Sequence, residues 1–300
     1  MNTPPFEFAT SNHPLAPLTL YQVGGPAAWA LTPRTLDEAR AAYQWMRRQS
    51  APQLVLGGGS NVLIADGGFP GIVLITTGLQ GAEDLGGGRS RVEAGVDLGW
   101  MVRDVMLPNN YAGVGGLTGI PGSVGGAIYM NAGTNKGTIC QLMESVEVAS
   151  PSGVQTVAMD PSLYGYRGQT FCPPGSLILQ GHFRFEPAGE DQRAIYERYI
   201  ERRAQTQPKG PSCGSVFKNP EGDHAGRLIE ACGLKGTRRG GAVISPKHAN
   251  FILNENGASS ADILWLMDLC KRRVREQFGV ALREEVSIIP PRRAERVEEN

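Results

Sequence analysis

The chain has no surplus of charge of either sign. Its 300 residues hold 29 Lys and Arg against 29 Asp and Glu. Nucleic-acid binders and membrane-surface proteins usually carry a basic excess, so neither kind of partner is expected. No apolar run reaches the roughly 18 residues a membrane-spanning helix needs. The N-terminal stretch MNTPPFEFATSNHPLAP has neither a basic region nor an apolar one, so no secretory signal is read. Cysteines fall at 140, 172, 213, 232 and 270, with no C-x-x-C pair and no metal-finger spacing. An odd, scattered set reads as reduced thiols in a cytoplasmic protein. The four histidines, His13, His182, His224 and His248, show no metal spacing either, so no metal is expected.

Glycine is what the chain has in plenty: 40 of 300 residues, about 13 % against a usual ~7 %. The glycines are clustered and no repeat is visible, which excludes collagen-like and low-complexity readings. Clustered glycine in a folded chain marks tight turns or a close approach of backbone to a ligand. The length fits about two domains of roughly 150 residues each.

Hydrophobic spacing predicts a helix over 35–49, opened by a Thr35/Glu38 capping box. Short strands are predicted at 53–56, 62–64, 71–76 and 90–96. A helix over 98–106 follows, because Leu98, Val102 and Val105 share a face. Beyond a glycine-dense stretch at 113–137, strands are predicted at 145–149, 154–158 and 177–185. Then the pattern changes. Residues 190–206 are charged and helical and mark a domain boundary. Residues 224–232 read as a short helix ended by Gly233, and 250–253 as a strand. The clearest helix covers 259–278, capped by Ser259 and Asp262 and stopped by Gly279. A last strand is expected over 281–289. The proline-led, charged tail from Pro290 reads as disordered, and residues 1–20 as an irregular lead-in. Strands early and helices late, without regular βαβ alternation, define an α+β fold.

Two glycine segments carry chemical meaning. In Leu56-Gly57-Gly58-Gly59-Ser60-Asn61 a strand enters, glycines turn and a strand leaves. Bare N–H groups in such a turn form an anion nest suited to a pyrophosphate. No Lys-Ser/Thr follows, so it is not a P-loop, and the Rossmann spacing is absent. A plain glycine hairpin is an equal reading. In the second segment, residues 115–133, Gly119-Ile120-Pro121-Gly122-Ser123 runs on through Val124 to Gly125-Gly126-Ala127. Small residues there would let a flat ring system lie against backbone; the bland alternative is a packed loop between strands. Two such segments in one region favour a large phosphate-bearing cofactor.

The runs LGGGSNVL and GLTGIPGSVGGAIYMNAG resemble the FAD-binding domain of vanillyl-alcohol-oxidase type flavoproteins. Together with PSCGSVFKNP, HAGRLIEACGLKG, GGAVISPKHANFILN and LREEVSII, they more narrowly resemble the shorter branch of the UDP-N-acetylenolpyruvoylglucosamine reductase family. The resemblance covers residues 18–289. It implies a PCMH-type FAD-binding domain of two α+β subdomains over 18–188 and an α+β substrate-binding domain over 189–289. An N-terminal segment, 1–17, and the disordered tail, 290–300, flank them. It also implies FAD as cofactor, NADPH as co-substrate and a nucleotide-sugar substrate, in a cytoplasmic protein expected to be a monomer. The FAD contacts would come from Leu56, Gly57, Gly58, Gly59, Ser60 and Asn61, and from Gly119, Ile120, Pro121, Gly122, Ser123, Gly125, Gly126 and Ala127. No histidine lies in either segment, so the flavin is expected to be held without a covalent bond.

The resemblance also singles out chemical residues that composition alone would pass over. Arg167, in Tyr164-Gly165-Tyr166-Arg167, would otherwise be a surface charge; in the family pattern it is the catalytic arginine. A planar, always charged fork suits a carboxylate that gains charge. Ser215 would be an ordinary turn serine; by resemblance it is the proton donor. Glu284 and Glu285 are neighbours on a predicted strand and face opposite ways. The family motif puts the catalytic glutamate directly before the valine, which is Glu285. Asn219, Lys235 and His248 are expected at the nucleotide sugar, each with a capping or structural role as the alternative. Family members often carry lysine where Thr206 stands; Lys209 and Arg203 are the candidates to replace its contact. The implied reaction sends a hydride from NADPH to flavin N5, then to the β-carbon of an enolpyruvyl ether. Arg167 and Glu285 stabilise the charge that develops, and Ser215 protonates the α-carbon. The Gly-Ser-x-Phe-Lys-Asn-Pro and Glu-Val elements speak against a flavoenzyme of the same broader fold that oxidises an alcohol or sugar, and the retained Arg167, Ser215 and Glu285 against a nucleotide-sugar binder that has lost the chemistry.

Overall fold

The computed structural model describes residues 2–290. Chain contacts gather into two units. The first holds the residues up to His13, Ala28–Gly59 and Pro70–Thr206; the second holds Pro14–Ala27, Ser60–Phe69 and the residues from Gln207 on. The helix Gln192–Thr206, which the sequence pattern places beyond a boundary at 188/189, groups by contact with the first unit.

In the first unit the helix Leu36–Arg47 begins at Thr35, whose side chain accepts from the Glu38 N–H while Glu38 reaches back, the predicted capping box. Its buried Ala39, Ala42, Tyr43 and Met46 pack with Leu31, Ile72 and Leu74. The sheet beneath runs in the order Ala9–Pro14, Pro26–Leu31, Phe69–Ile75, Gln53–Leu56. A second, antiparallel sheet runs Gly153–Ala158, Met143–Ser150, Leu177–Arg184, Arg89–Glu93, Ala82–Gly86. One carboxylate is buried here. Burial would raise the Glu147 carboxyl, but bonds from Arg40 (2.6 Å) and Gln180 (2.7 Å) hold it below the usual range.

The second unit is organised by the helix Ser260–Phe278. Ser259 and Asp262 form its capping box and Gly279, at φ 70°, ends it. Ile263, Leu266, Met267, Cys270 and Val274 are buried along one face, and each large aliphatic side chain removed from water contributes about 1.5–3 kcal/mol. Asp66 accepts from the Ser260 N–H at 2.8 Å and the Ser260 hydroxyl at 2.9 Å, fastening the loop 65–68 to the helix start. The strands Arg238–Arg239, Ala242–Ile244 and Ile252–Asn254 form a small antiparallel sheet.

The α+β expectation holds, and four local expectations change. Residues 9–14, read as irregular, form an edge strand whose mostly exposed side chains give no alternating pattern. The strands Pro26–Leu31 and Ala82–Gly86 were not predicted at all; the latter is exposed throughout. The helix over 98–106 is α only for Leu98–Trp100 and continues as a π-helix over Met101–Met106, which turns Met101, Val102 and Met106 inward. The strand expected over 281–289 is a strand only at Ser287–Ile289, which pairs in parallel with Val62–Ile64. Upstream of it a single antiparallel bridge joins Glu284 to Phe217, flanked by bonds from Lys218 N–H to Arg283 O and from Glu285 N–H to Val216 O. Of the tail predicted to be disordered, 291–300 lies outside the described residues.

Candidate active site

The first glycine segment is not a hairpin. Its incoming strand, Gln53–Leu56, pairs in parallel with Phe69–Ile75, while its outgoing strand, Val62–Ile64, pairs with Ser287–Ile289. The second segment is not a loop but two short helices, Val114–Leu117 and Val124–Tyr129, with Ser123 capping the second. Apolar residues are too few in either for helical periodicity to show.

The two segments touch. Ser123 Oγ accepts from the Gly58 N–H at 3.2 Å and from the Gly126 N–H at 3.3 Å. A Cβ on Gly57 would lie 2.6 Å from Ser123 Oγ, and one on Gly58 would lie 2.8 Å from Ser123 N and 2.9 Å from Gly122 Cα. Gly125 is crowded by Ala94, at 2.6 Å. These three glycines therefore lack side chains because the protein itself fills the space. Gly59, Gly119 and Gly122 have φ of 61°, 71° and 115°, where glycine is at ease and other residues are strained. Gly126 keeps room, since a Cβ there would meet only Ser123 Oγ, at 3.4 Å. Leu56 and Ala127 are buried, Ile120 is half-buried and Pro121 is exposed.

The cradle leaves buried donors unmet. Gly59 and Ser123 are buried, yet neither backbone N–H has a hydrogen-bond partner among the described residues. Over 90 % of buried backbone donors are normally paired, so such orphans fit an anionic ligand. Close by, Arg203 sits over Gly119, whose Cβ would fall 2.6 Å from Arg203 Nε. No carboxylate pairs with Arg203 among the described residues, and burial pulls its pKa down. A desolvated cation without a counter-charge also fits a diphosphate. Both features match what an FAD-type dinucleotide needs.

Arg167 belongs to the same unit. It is the second loop residue of a minimal hairpin in which Tyr164 pairs with Gln169 and Gly165 with Gly168. Its φ is 54°, an unusual value for a residue with a side chain. The guanidinium lies over the Tyr166 ring, 5.3 Å from its centroid.

Ser215 and Glu285 belong to the second unit, and the backbone brings them together. Gly214, at φ 72°, makes the turn, and buried Cys213, Val216 and Phe217 pin it on both sides. The Ser215 hydroxyl has no partner among the described residues. Val216 C=O accepts from the Glu285 N–H at 2.8 Å, and Val216 N–H donates to Asn250 O at 2.8 Å. The buried Asn250 carboxamide binds both polar groups of the Phe217 backbone, accepting from its N–H at 3.0 Å and donating to its carbonyl at 2.8 Å. Neither Asn250 bond is signalled by the sequence, since the pairing spans 33 residues. Glu284 is ion-paired with Lys271 on the long helix. The Lys271 pair accounts for Glu284; the choice of Glu285 rests on the motif. Asn61, expected at the flavin, donates to the Glu285 carbonyl at 2.9 Å.

The remaining residues already serve the protein. Asn219 Oδ1 accepts from the Ala225 N–H at 3.1 Å and so caps the helix Ala225–Ala231. Lys235 Nζ pairs with Glu230 Oε1 at 2.7 Å. His248 Nδ1 accepts from the Asn250 N–H at 3.2 Å, which leaves the neutral ring protonated on Nε2. Burial lowers the His248 pKa, and Lys235 nearby lowers it further. Among the described residues no group of acidic, histidine and cysteine side chains is placed to hold a metal.

Comparison with known proteins agrees with this geometry. Residues 27–158 match the family described as "FAD binding domain", so the class is that of FAD-binding oxidoreductases. Residues 206–289 match "UDP-N-acetylenolpyruvoylglucosamine reductase, C-terminal domain". The reductase of Syntrophotalea carbinolica is 37 % identical over 281 residues, 92 % of each chain. That of Synechococcus sp. WH7803 is 41 % identical over 284 residues, 91 % of this chain and 90 % of the other. The crystal structure of the Thermus caldophilus enzyme superposes with a TM-score of 0.78 at 36 % identity, covering 94 % of this chain and 98 % of that one. The chain belongs to the UDP-N-acetylenolpyruvoylglucosamine reductase family.

Proposed function

We propose that this chain reduces UDP-N-acetylglucosamine enolpyruvate to UDP-N-acetylmuramate, a step of peptidoglycan precursor synthesis, with NADPH as electron donor. Bound FAD supplies the hydride that NADPH provides. The observation that carries the reading is the Ser215–Glu285 corner, where Glu285 N–H bonds the carbonyl of Val216, the residue after a serine whose hydroxyl is unengaged, and Glu285 itself is half-buried. The amides of Gly59 and Ser123 and the Arg203 guanidinium hold phosphate oxygens, and the small residues of Gly119–Ala127 line the ring system. The domain over 18–188, joined by Arg203 of the helix that packs on it, carries the cofactor, and the rest of 189–289 the nucleotide sugar.

The substrate's double bond is conjugated to a carboxylate. As the β-carbon gains hydride the π bond opens, and its electron pair moves to the α-carbon and the carboxylate. Arg167 neutralises that charge, and a preorganised cation is worth most where charge newly develops. Glu285 steadies the same group through a proton or a bridging water. Ser215 gives its hydroxyl proton to the α-carbon, which sets the stereocentre, and recovers a proton from solvent. Asn219 uses its side-chain NH2, which has no partner among the described residues, and Lys235 and His248 join it at the nucleotide sugar. Lys235 exchanges Glu230 for the diphosphate. The protein works as a cytoplasmic monomer with no nucleic-acid partner. Among the described residues no helix is long and apolar enough to cross a membrane.

The test is spectroscopic. Purified protein should show a flavin spectrum, bleach anaerobically with NADPH and recover its colour on adding UDP-N-acetylglucosamine enolpyruvate. A colourless preparation, or bleached protein that the nucleotide leaves bleached, overturns the reading.

A further inference from the structure

We infer that Asn131 is the positioning residue for Arg167, a role that rests on the reading of Arg167 given above. Asn131 is 2 % exposed. It follows the helix Val124–Tyr129 and takes a left-handed φ of 43°, a conformation asparagine tolerates better than most residues. Its Nδ2 donates to the Gly165 carbonyl at 2.8 Å, two residues before Arg167. Its Oδ1 accepts from the N–H of buried Cys140 at 3.4 Å, and its own N–H donates to Ile128 O at 3.1 Å. The carboxamide is thus fixed from the core side and grips the hairpin on the other.

The hairpin needs that grip. Two residue pairs make a two-stranded ladder, which is marginal by itself. Cβ atoms built on Gly165 and Gly168, the residues flanking the loop, would meet nothing within 4 Å. Tyr166 is 61 % exposed. Packing at the tip is therefore sparse, while Arg167 sits in a backbone conformation that a bulky residue adopts only when its surroundings impose it. Downstream the base is tied by Thr170, whose N–H donates to Leu163 O at 2.9 Å, but that bond lies beyond the loop. Asn131 holds the peptide leading into the corner through its bond to the Gly165 carbonyl. It connects the second glycine segment to the arginine that must meet developing charge.

The variants are Asn131→Gly, Arg167→Ala and the double variant, each studied as FAD-loaded enzyme. Glycine removes the carboxamide and keeps the left-handed backbone relaxed. A misplacement of about 1 Å can cost roughly 10²-fold, so Asn131→Gly should slow flavin reoxidation by UDP-N-acetylglucosamine enolpyruvate by about that factor. NADPH-driven reduction and FAD content should stay near wild type, while Tm falls by a few degrees because two buried hydrogen bonds are lost. The double variant should be no slower than Arg167→Ala alone, because the two residues act as one. Independently of activity, trypsin should cut after Arg167 roughly fivefold faster once the bond is lost. The proposal is overturned by wild-type reoxidation in Asn131→Gly, by equal damage to both half-reactions with loss of FAD, or by costs that add in the double variant. Should the glycine variant fail to fold, Asn131→Asp keeps the shape but sets a carboxylate oxygen against the Gly165 carbonyl; it should show the same split, and no split overturns the proposal. If Arg167→Ala itself reoxidises normally, the reading of Arg167 falls; if it is slow while Asn131→Gly is not, only the positioning role falls.

Discussion

Around Gly57–Gly59 and Gly119–Ala127 the chain works with bare backbone, whereas around Ser215 it works with side chains. In the first region segments approach so closely that a methyl group on Gly58 would strike the amide of Ser123. What is left over for a ligand is a pair of buried N–H groups. In the second region Asn250, Asn61 and Lys271 each take up a neighbour's polar group, and the Ser215 hydroxyl stays unengaged. A backbone cradle tolerates no added atoms; a side-chain corner tolerates isosteric changes and fails when one functional group is removed. Substitutions in the two regions should therefore fail in different ways, the first through cofactor retention and the second through rate.

The sharpest contrast is Ser215→Ala. A positioned proton donor supplies roughly 10²–10⁴-fold, so reoxidation by the enolpyruvyl nucleotide should slow by that much while NADPH reduction, timed in the same stopped-flow cell, persists. Equal loss in both half-reactions would erase the distinction. Next comes the glutamate pair. Glu285→Gln should slow reoxidation by about 10²-fold. Glu284→Gln should leave the rate alone and cost at most ~1 kcal/mol in a urea titration, since a half-exposed ion pair contributes little. Reversed outcomes would move the chemistry to Glu284.

Gly58→Ala probes the other region. Overpacking against backbone costs about 1–3 kcal/mol, so FAD should bind some 10–100-fold more weakly, read from the flavin retained on dilution. Unchanged retention would show that the segments can move apart. The smallest effect is pH-dependent. His248 is held neutral by burial, with its pKa below the unfolded 6.5. Its stabilising contribution is present above pH 6.5 and is lost as pH falls from there towards the folded value. Glu147, depressed below 4.5, loses its contribution only at lower pH. Tm scanned from pH 7 to pH 5 should therefore fall less in His248→Gln than in wild type; identical curves would place the imidazole in water.

Legibility differed between the regions as well. The helices 36–47 and 260–278 were readable because their caps are local: Thr35 with Glu38, Ser259 with Asp262, and Gly279 at the end. The glycine segments could be found but not shaped. Their helices are only four and six residues long, and the strands flanking Gly57–Asn61 take partners elsewhere in the chain. Ser215, Glu285 and Arg167 were named through family motifs, since nothing in a lone serine, a Glu-Glu pair or a loop arginine distinguishes it. Asn131, Asn250 and Arg203 drew no role from spacing alone, although Arg203 stood as a substitute for the missing lysine.

By itself the sequence determined where the chain bends, which faces of its long helices are buried, and which motifs it shares with its family. Those properties depend on residues three or four apart and on local backbone preference. Tertiary structure alone decided that Ser123 bonds Gly58 across 65 residues, that Glu284 is taken by Lys271, and that the Arg167 hairpin hangs from Asn131. Such choices depend on which distant polar groups meet once water is excluded, and no local pattern encodes that meeting.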